Sequence, residues 1–190
     1  IKKHLAAGDI VIELGTSIGF NAITIAKINT GKVVTYEANP GLMSLIQKNQ
    51  QLNNVSFEVR NKILVTDPAA PLRIAFNIAK NPCMSSSKQF ILKEQVMKEV
   101  RDVETEYAGT VFDRLLPTFL VVDIEGGEED FFRNVDLVAK STIQKILLEI
   151  HPEIIGDEAC RTVVNNLLQA GFVVVSQSDD ETVLFFKRKS

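Results

Sequence analysis

The chain is poor in cysteine, with Cys83 and Cys160 alone among 190 residues, far apart and with no second pair beside either. That spacing excludes a zinc site and a disulfide framework, so both are read as ordinary thiols and the expected setting is a reducing one, the cytoplasm. Charge of one sign is scarce too. A net charge of −3 and a pI near 5.5 do not suit a surface that neutralises many phosphates. No nucleic-acid partner is therefore expected, and the tail Lys187-Arg188-Lys189 is too short to alter this. No apolar run approaches the roughly 20 residues of a membrane span, and a signal peptide is not expected. Repeats and linkers are lacking as well, so residues 1–190 are expected to form one domain. The chain opens at Ile1 rather than methionine, and upstream residues are an expectation.

What the sequence does have is an alternation of short apolar runs with helical patterns, the sign of a parallel sheet wrapped by helices. Strands are expected at Asp9–Leu14, Lys32–Glu37, Val55–Val59, Phe119–Asp123 and Lys145–Ile150. Helices are expected over Asn21–Ile28, Pro40–Leu52, Glu128–Val138 and Glu158–Ala170. Leu64–Leu116, broken by Pro68, Pro71, Pro82 and Ser85-Ser86-Ser87, is the least regular stretch, and Phe90–Tyr107 fits a helix or a hairpin. The last strands, Phe172–Ser176 and Thr182–Lys187, are joined by a loop too short for a helical crossover and must be antiparallel.

Glu13-Leu14-Gly15-Thr16-Ser17-Ile18-Gly19-Phe20 lies between the first strand and the first helix, where an open α/β sheet binds its ligand. The dinucleotide fingerprint Gly-x-Gly-x-x-Gly fails, because Ser17 and Phe20 occupy its second and third glycine positions. The phosphate loop fails for want of a following Gly-Lys-Ser/Thr. An acid, a glycine and a second glycine four residues later remain, which is the S-adenosylmethionine pattern. Glu13 suits the cationic end of that cofactor. Glu37, ending the second strand, is placed to accept from both ribose hydroxyls, and Asn61 lies near the adenine edge.

A second group follows the fourth and fifth strands: Asp123-Ile124-Glu125-Gly126-Gly127-Glu128 and Glu149-Ile150-His151-Pro152. Side chains alternate along a strand, so Asp123 pairs with Glu125 on one face and Glu149 with His151 on the next. If the strands are neighbours, three carboxylates and an imidazole converge. Methyl transfer to a hydroxyl benefits from a base, and His151 is the first candidate, with Asp123 and Glu125 as rivals. The ligand types also suit magnesium or manganese, although no metal ligand set is assigned. Glu128 and Glu129 read as a solvated first helical turn, and His4 has no visible partner.

These motifs resemble the FkbM family of methyltransferases over nearly the whole chain. The resemblance rests on Glu13-x-Gly15-x-x-x-Gly19-Phe20, Tyr36-Glu37-Ala38-Asn39-Pro40, the asparagines from Asn49 to Asn53, Asp123-Ile124-Glu125-Gly126-x-Glu128 and Glu149-x-His151. Ser85-Ser86 and Asp113-x-Leu115 match weaker features. It implies a Rossmann-like class I methyltransferase fold: a seven-stranded, mostly parallel sheet with one antiparallel strand beside the fifth and helices on both faces. It also implies O-methylation of a sugar or small metabolite. The expected cofactor site comprises Glu13, Gly15, Ser17, Gly19, Phe20, Glu37, Ala38, Asn61 and Asp123, and the catalytic set His151, Asp123 and Glu125. Residues 64–116 are the expected acceptor-side segment. A noncatalytic cofactor-binding module is the alternative, and an NAD-dependent oxidoreductase a weaker one.

Overall fold

The computed structural model describes residues 1–81, 85–86 and 97–189. Pro82, Cys83, Ser87 and the first part of the Phe90–Tyr107 stretch lie outside the described residues. The main sheet is built on β1 (Val11–Leu14), β2 (Val33–Tyr36), β3 (Glu58–Arg60), β7 (Phe119–Val122), β8 (Lys145–Glu149), β9 (Phe172–Gln177) and β10 (Val183–Arg188). Its seven strands run in the order β3-β2-β1-β7-β8-β10-β9. The first five are parallel, and β10 inserts antiparallel between β8 and β9. The expected single antiparallel strand beside the fifth is thus present.

β1, β2 and β7 are buried at every residue. That is why they read as continuous apolar runs, since both faces of a parallel sheet are covered. Alternation then sorts the side chains into two cores. Ile12, Leu14, Val34, Leu120, Val122 and Ile146 pack with α3 (Ala108–Leu115), α5 (Val135–Lys140) and α6 (Pro152–Gln169). Val11, Val33, Phe119 and Val121 pack with α1 (Phe20–Ile28) and α2 (Met43–Asn53). Glu13 shares the second face with Val11, which carries it into the core.

Residues 64–116 hold structure that the sequence did not reveal. β4 (Ile63–Val65), β5 (Arg73–Ala79) and β6 (Met97–Tyr107) form a separate three-stranded sheet in the order β4-β6-β5. Tyr36 and Arg60 tie it to the main sheet: Tyr36 OH donates to Glu106 Oε2 at 2.9 Å and Arg60 reaches the same oxygen at 3.0 Å. The helix expected over Glu128–Val138 is broken into α4 (Glu128–Phe131), a 3₁₀ turn at Phe132–Asn134, and α5. Phe131 and Phe132 are both buried, and consecutive residues of a regular helix do not share one face.

At the amino-terminal edge of the parallel strands, Asp9 and Lys145 form a buried ion pair. Asp9 also accepts from Thr118 Oγ1 at 2.8 Å and from the Ala6 amide at 2.7 Å. His4 is not unpartnered as expected, because its ring stacks on Phe185 with centroids 3.5 Å apart. No helix among the described residues is long and apolar enough to cross a membrane.

Candidate active site

The carboxyl ends of β1, β2 and β7 meet at the glycine turn. Gly15 has φ of +86°, and a Cβ there would lie 1.6 Å from the Asp123 carbonyl oxygen. This glycine therefore lets the ends of β1 and β7 close on one another, and a side chain would part them. Beside it, Ser17 donates its amide to Glu37 Oε2 at 2.7 Å, and Asn39 donates its amide to Glu37 Oε1 at 2.7 Å. Each oxygen keeps a lone pair for a further donor. Burial pushes the Glu37 carboxyl up to about 7, despite those two amides, which favour its ionised form.

Above this floor lies a cavity of about 700 Å³. Gly15, Ser17, Glu37 and Ala38 line it, together with Asp123 and Glu125. Four other expected cofactor residues are placed differently. Phe20 is 73% exposed and lies outside the lining, because it sits on the solvent side of the first turn of α1. Gly19 starts that helix with φ of +90° and faces Ile23, Ile46 and Phe57. Asn61 spends its amide on the carbonyls of Glu37 and Ala38, at 2.7 and 3.1 Å, so it braces the loop while Lys62 and Ile63 line the cavity.

Glu13 is the fourth. It is 1% exposed and lies beneath the turn, and neither carboxylate oxygen has a hydrogen-bond partner among the described residues. Burial, with Asp123 and Glu37 nearby, pushes its carboxyl well above the usual range. Thr16 Oγ1, buried in the same turn, is likewise without a partner. Orphaned polar atoms of this kind are costly unless a polar ligand or water completes them. The turn thus fits a small polar cofactor.

The second group converges as expected, because β7 and β8 are parallel neighbours. His151 Nε2 lies 3.6 Å from Asp123 Oδ1 and 3.7 Å from Glu125 Oε2. Burial raises the Asp123 carboxyl to about 7, helped by the charge of Glu149. Burial also raises Glu125.

Two expectations change here. Glu128 is not solvated: it is fully buried, and its Oε1 accepts from the amides of Ile124 at 3.2 Å and Gly126 at 3.3 Å and meets His151 Nδ1 at 2.9 Å. The tight loop before α4 turns the first helical residue inward, where the sequence suggests only a favourable helix-dipole position. His151, in turn, is no neutral base. Burial opposes its charged form, but the hydrogen bond and charge of Glu128, with the charges of Glu125 and Asp123, prevail and carry it up to about 9. It holds a proton at neutral pH, and it sits behind Asp123 and Glu125 rather than in the cavity lining. Cys160 is a buried thiol, pushed up to about 11 chiefly by burial, which matches the reading of an ordinary thiol. Ser86 Oγ donates to the Glu125 carbonyl at 2.5 Å, and Ser85 lines the cavity.

Many solved structures share this architecture. Ribosomal protein L11 methylase from Lactobacillus delbrueckii subsp. bulgaricus is 13% identical over 100% of this chain and 74% of its own, with a TM-score of 0.58. Magnesium protoporphyrin IX methyltransferase from Synechocystis PCC 6803, with bound SAM, is 11% identical over 99% of this chain and 74% of its own, at 0.56. Aeropyrum pernix fibrillarin, with natively bound S-adenosyl-L-methionine, is 11% identical over 96% and 67%, at 0.51. At these identities the likeness is one of fold. No curated protein matches the sequence. The profile of the methyltransferase FkbM domain, however, matches residues 13–174, from the acid of the glycine turn to the middle of β9. The chain belongs to the FkbM methyltransferase domain family and has the class I methyltransferase fold.

Proposed function

We propose that this domain methylates a hydroxyl group of a sugar or small metabolite. The observation that carries the reading is one cavity lined by the glycine turn, the buried Glu37 carboxylate and the acids Asp123 and Glu125 together. Glu37 accepts from the ribose hydroxyls while its amide partners at Ser17 and Asn39 keep it in place. Gly15, Ser17 and Ala38 form the backbone around the cofactor, and Glu13 and Thr16 underlie it. Thr66, Asp67, Asp130, Arg133 and Asn134 also line the cavity, among apolar residues such as Ile63 and Phe76, and offer hydrogen-bonding groups to a hydroxylated acceptor. The acid-rich cleft and the net charge of −3 favour a small acceptor over a polyanion.

When bound, S-adenosylmethionine supplies a methyl group made electrophilic by its sulfonium. That methyl group would pass to the acceptor oxygen, with the sulfur leaving as the neutral thioether, so the chain's own part is to orient the hydroxyl and take its proton. The hydroxyl proton passes to Asp123, the cavity-lining carboxylate at the end of β7. Glu125 and His151 form the remainder of the acceptor side. Residues 64–116, which carry the three-stranded sheet, set which acceptor fits. Incubation with labelled S-adenosylmethionine and a panel of sugars and hydroxylated metabolites tests the reading. Label transferred to oxygen supports it, and transfer only to nitrogen or carbon rejects it.

A further inference from the structure

Methyl transfer as just described leaves unused the way three ligand-type atoms are arrayed where β7 and β8 end. Glu128, fully buried and anchored by two backbone amides, holds the Nδ1 side of His151 and prevents the ring from turning. Nε2 is therefore aimed into the gap between Asp123 Oδ1 and Glu125 Oε2, from a side chain only 8% exposed. At 3.6 and 3.7 Å, neither carboxylate oxygen is within hydrogen-bond distance of that nitrogen. Left to themselves, an imidazolium and a carboxylate close to about 2.7–2.9 Å, as Nδ1 and Glu128 have done. The open side is held apart.

The three atoms lie within 4.8 Å of one another. Ligand atoms about 2.1 Å from a shared cation stand roughly 3–4 Å apart, so the gap has the size of a divalent ion. A carboxylate behind the distal ring nitrogen is also the usual setting of a metal-bound histidine. A second observation points the same way. Glu13, one strand over, is also buried, with neither carboxylate oxygen partnered among the described residues. Among the described residues, the only ion pairs made by Glu13, Glu37, Asp123, Glu125, Glu128 and Glu149 are those with His151.

We propose that Asp123, Glu125 and His151 bind one divalent cation of the manganese or magnesium type, which displaces the Nε2 proton of His151 to solvent while Nδ1–H stays bonded to Glu128, and that a hydroxyl of the acceptor completes its shell. One imidazole and two carboxylates suit manganese well. Three protein ligands leave about three positions of an octahedron for water and substrate oxygens, on the side where Asp123 and Glu125 line the cavity. Each carboxylate gives one oxygen, so Asp123 Oδ2 stays available to the acceptor's proton. The role assigned to the acceptor rests on the methyl-transfer reading, whereas cation binding itself does not.

The test is a manganese titration of the full chain followed by electron paramagnetic resonance, which distinguishes free from bound Mn²⁺. One ion per chain is expected, with nitrogen coupling from His151. Glu128→Gln, which alters only the group behind the ring, should weaken binding by about 10–100-fold. Glu125→Gln should weaken it as well. His151→Ala can unfold the chain by stranding Glu128, so the decisive variant is Glu125→Gln, at a side chain 22% exposed, with a thermal melt as its fold control. Manganese that stays free, a bound signal without nitrogen coupling, or parent-like binding by folded Glu125→Gln overturns the site. S-adenosylmethionine affinity, measured on the same protein without metal, separates the two ideas. Cofactor bound but manganese free removes the cation alone. Manganese bound with no cofactor affinity removes the methyltransferase reading and leaves the cation site standing.

Discussion

The two edges of the parallel sheet bury charge in opposite ways. At the amino-terminal edge one acid, Asp9, meets one base, Lys145, and its oxygens also take the Thr118 hydroxyl and the Ala6 amide. At the carboxyl edge several carboxylates share one histidine, and Glu13 and Thr16 keep polar atoms with no partner at all. The first arrangement is complete within the protein and serves the fold. The second is incomplete within the described residues, and a group so left is either a defect or a binding site. The cavity over it argues for the site.

Substitutions should separate the edges. The largest effect is expected at the backbone constraint of the carboxyl edge: Gly15→Ala drives a Cβ into the Asp123 carbonyl and should abolish the folded protein, seen as loss of a cooperative melt. Gly19→Ala meets only ordinary contacts and should cost about 1–2 kcal/mol, from its positive φ alone. Next, Lys145→Ala strands a buried carboxylate and should destabilise the chain by about 3–5 kcal/mol in denaturant unfolding. S-Adenosylmethionine affinity of the remaining folded protein should be unchanged.

At the other edge the sign should reverse. Glu13→Leu replaces an unpartnered buried carboxyl with an apolar group of similar size. It should stabilise the cofactor-free protein by about 1–4 kcal/mol while weakening the cofactor. Destabilisation would mean that Glu13 is paired in solution and that the contrast between the edges is false. Asp123→Asn should lower kcat by about 10²-fold or more, read by labelled methyl transfer, and should also affect cofactor binding.

The smallest effect is a pH dependence. Glu37 accepts hydroxyls best when ionised, and burial has brought its carboxyl up to about 7. Cofactor affinity should therefore rise as pH rises through about 7, and below that it should fall by up to about tenfold per pH unit. A flat profile in the parent would detach Glu37 from the ribose.

The same contrast governs how much the sequence could disclose. β1, β2 and β7 were legible because burial on both faces makes each a short, unbroken apolar run between turn residues. The antiparallel β10 was legible because its loop is too short for a crossover. β6 was not. Met97, Val100 and Val103 recur at every third position, which suggests a helix, and Val100 is 49% exposed while Val103 is 4%. Its pairing is decided by partners distant in sequence, such as Arg73 with Glu104 and Arg60 with Glu106. In the site, Asp123, Glu125 and His151 were found because neighbouring strand ends must converge. Glu128 was missed because an acid in a first helical turn looks satisfied by the helix dipole. Only the loop from Ile124 to Gly127, with Gly126 at φ +93°, shows that it points inward. Asn61 and Phe20 do not line the cavity, for a related reason: position along the chain does not state which way a loop side chain turns.

Titration calorimetry with S-adenosylmethionine and NAD, on the parent chain and on Glu37→Ala above pH 7, tests the cofactor assignment most directly. One S-adenosylmethionine per chain is expected, with no NAD binding and a loss of about 1–3 kcal/mol of affinity in Glu37→Ala. NAD binding in place of S-adenosylmethionine, or equal cofactor affinity in the folded variant, would contradict it.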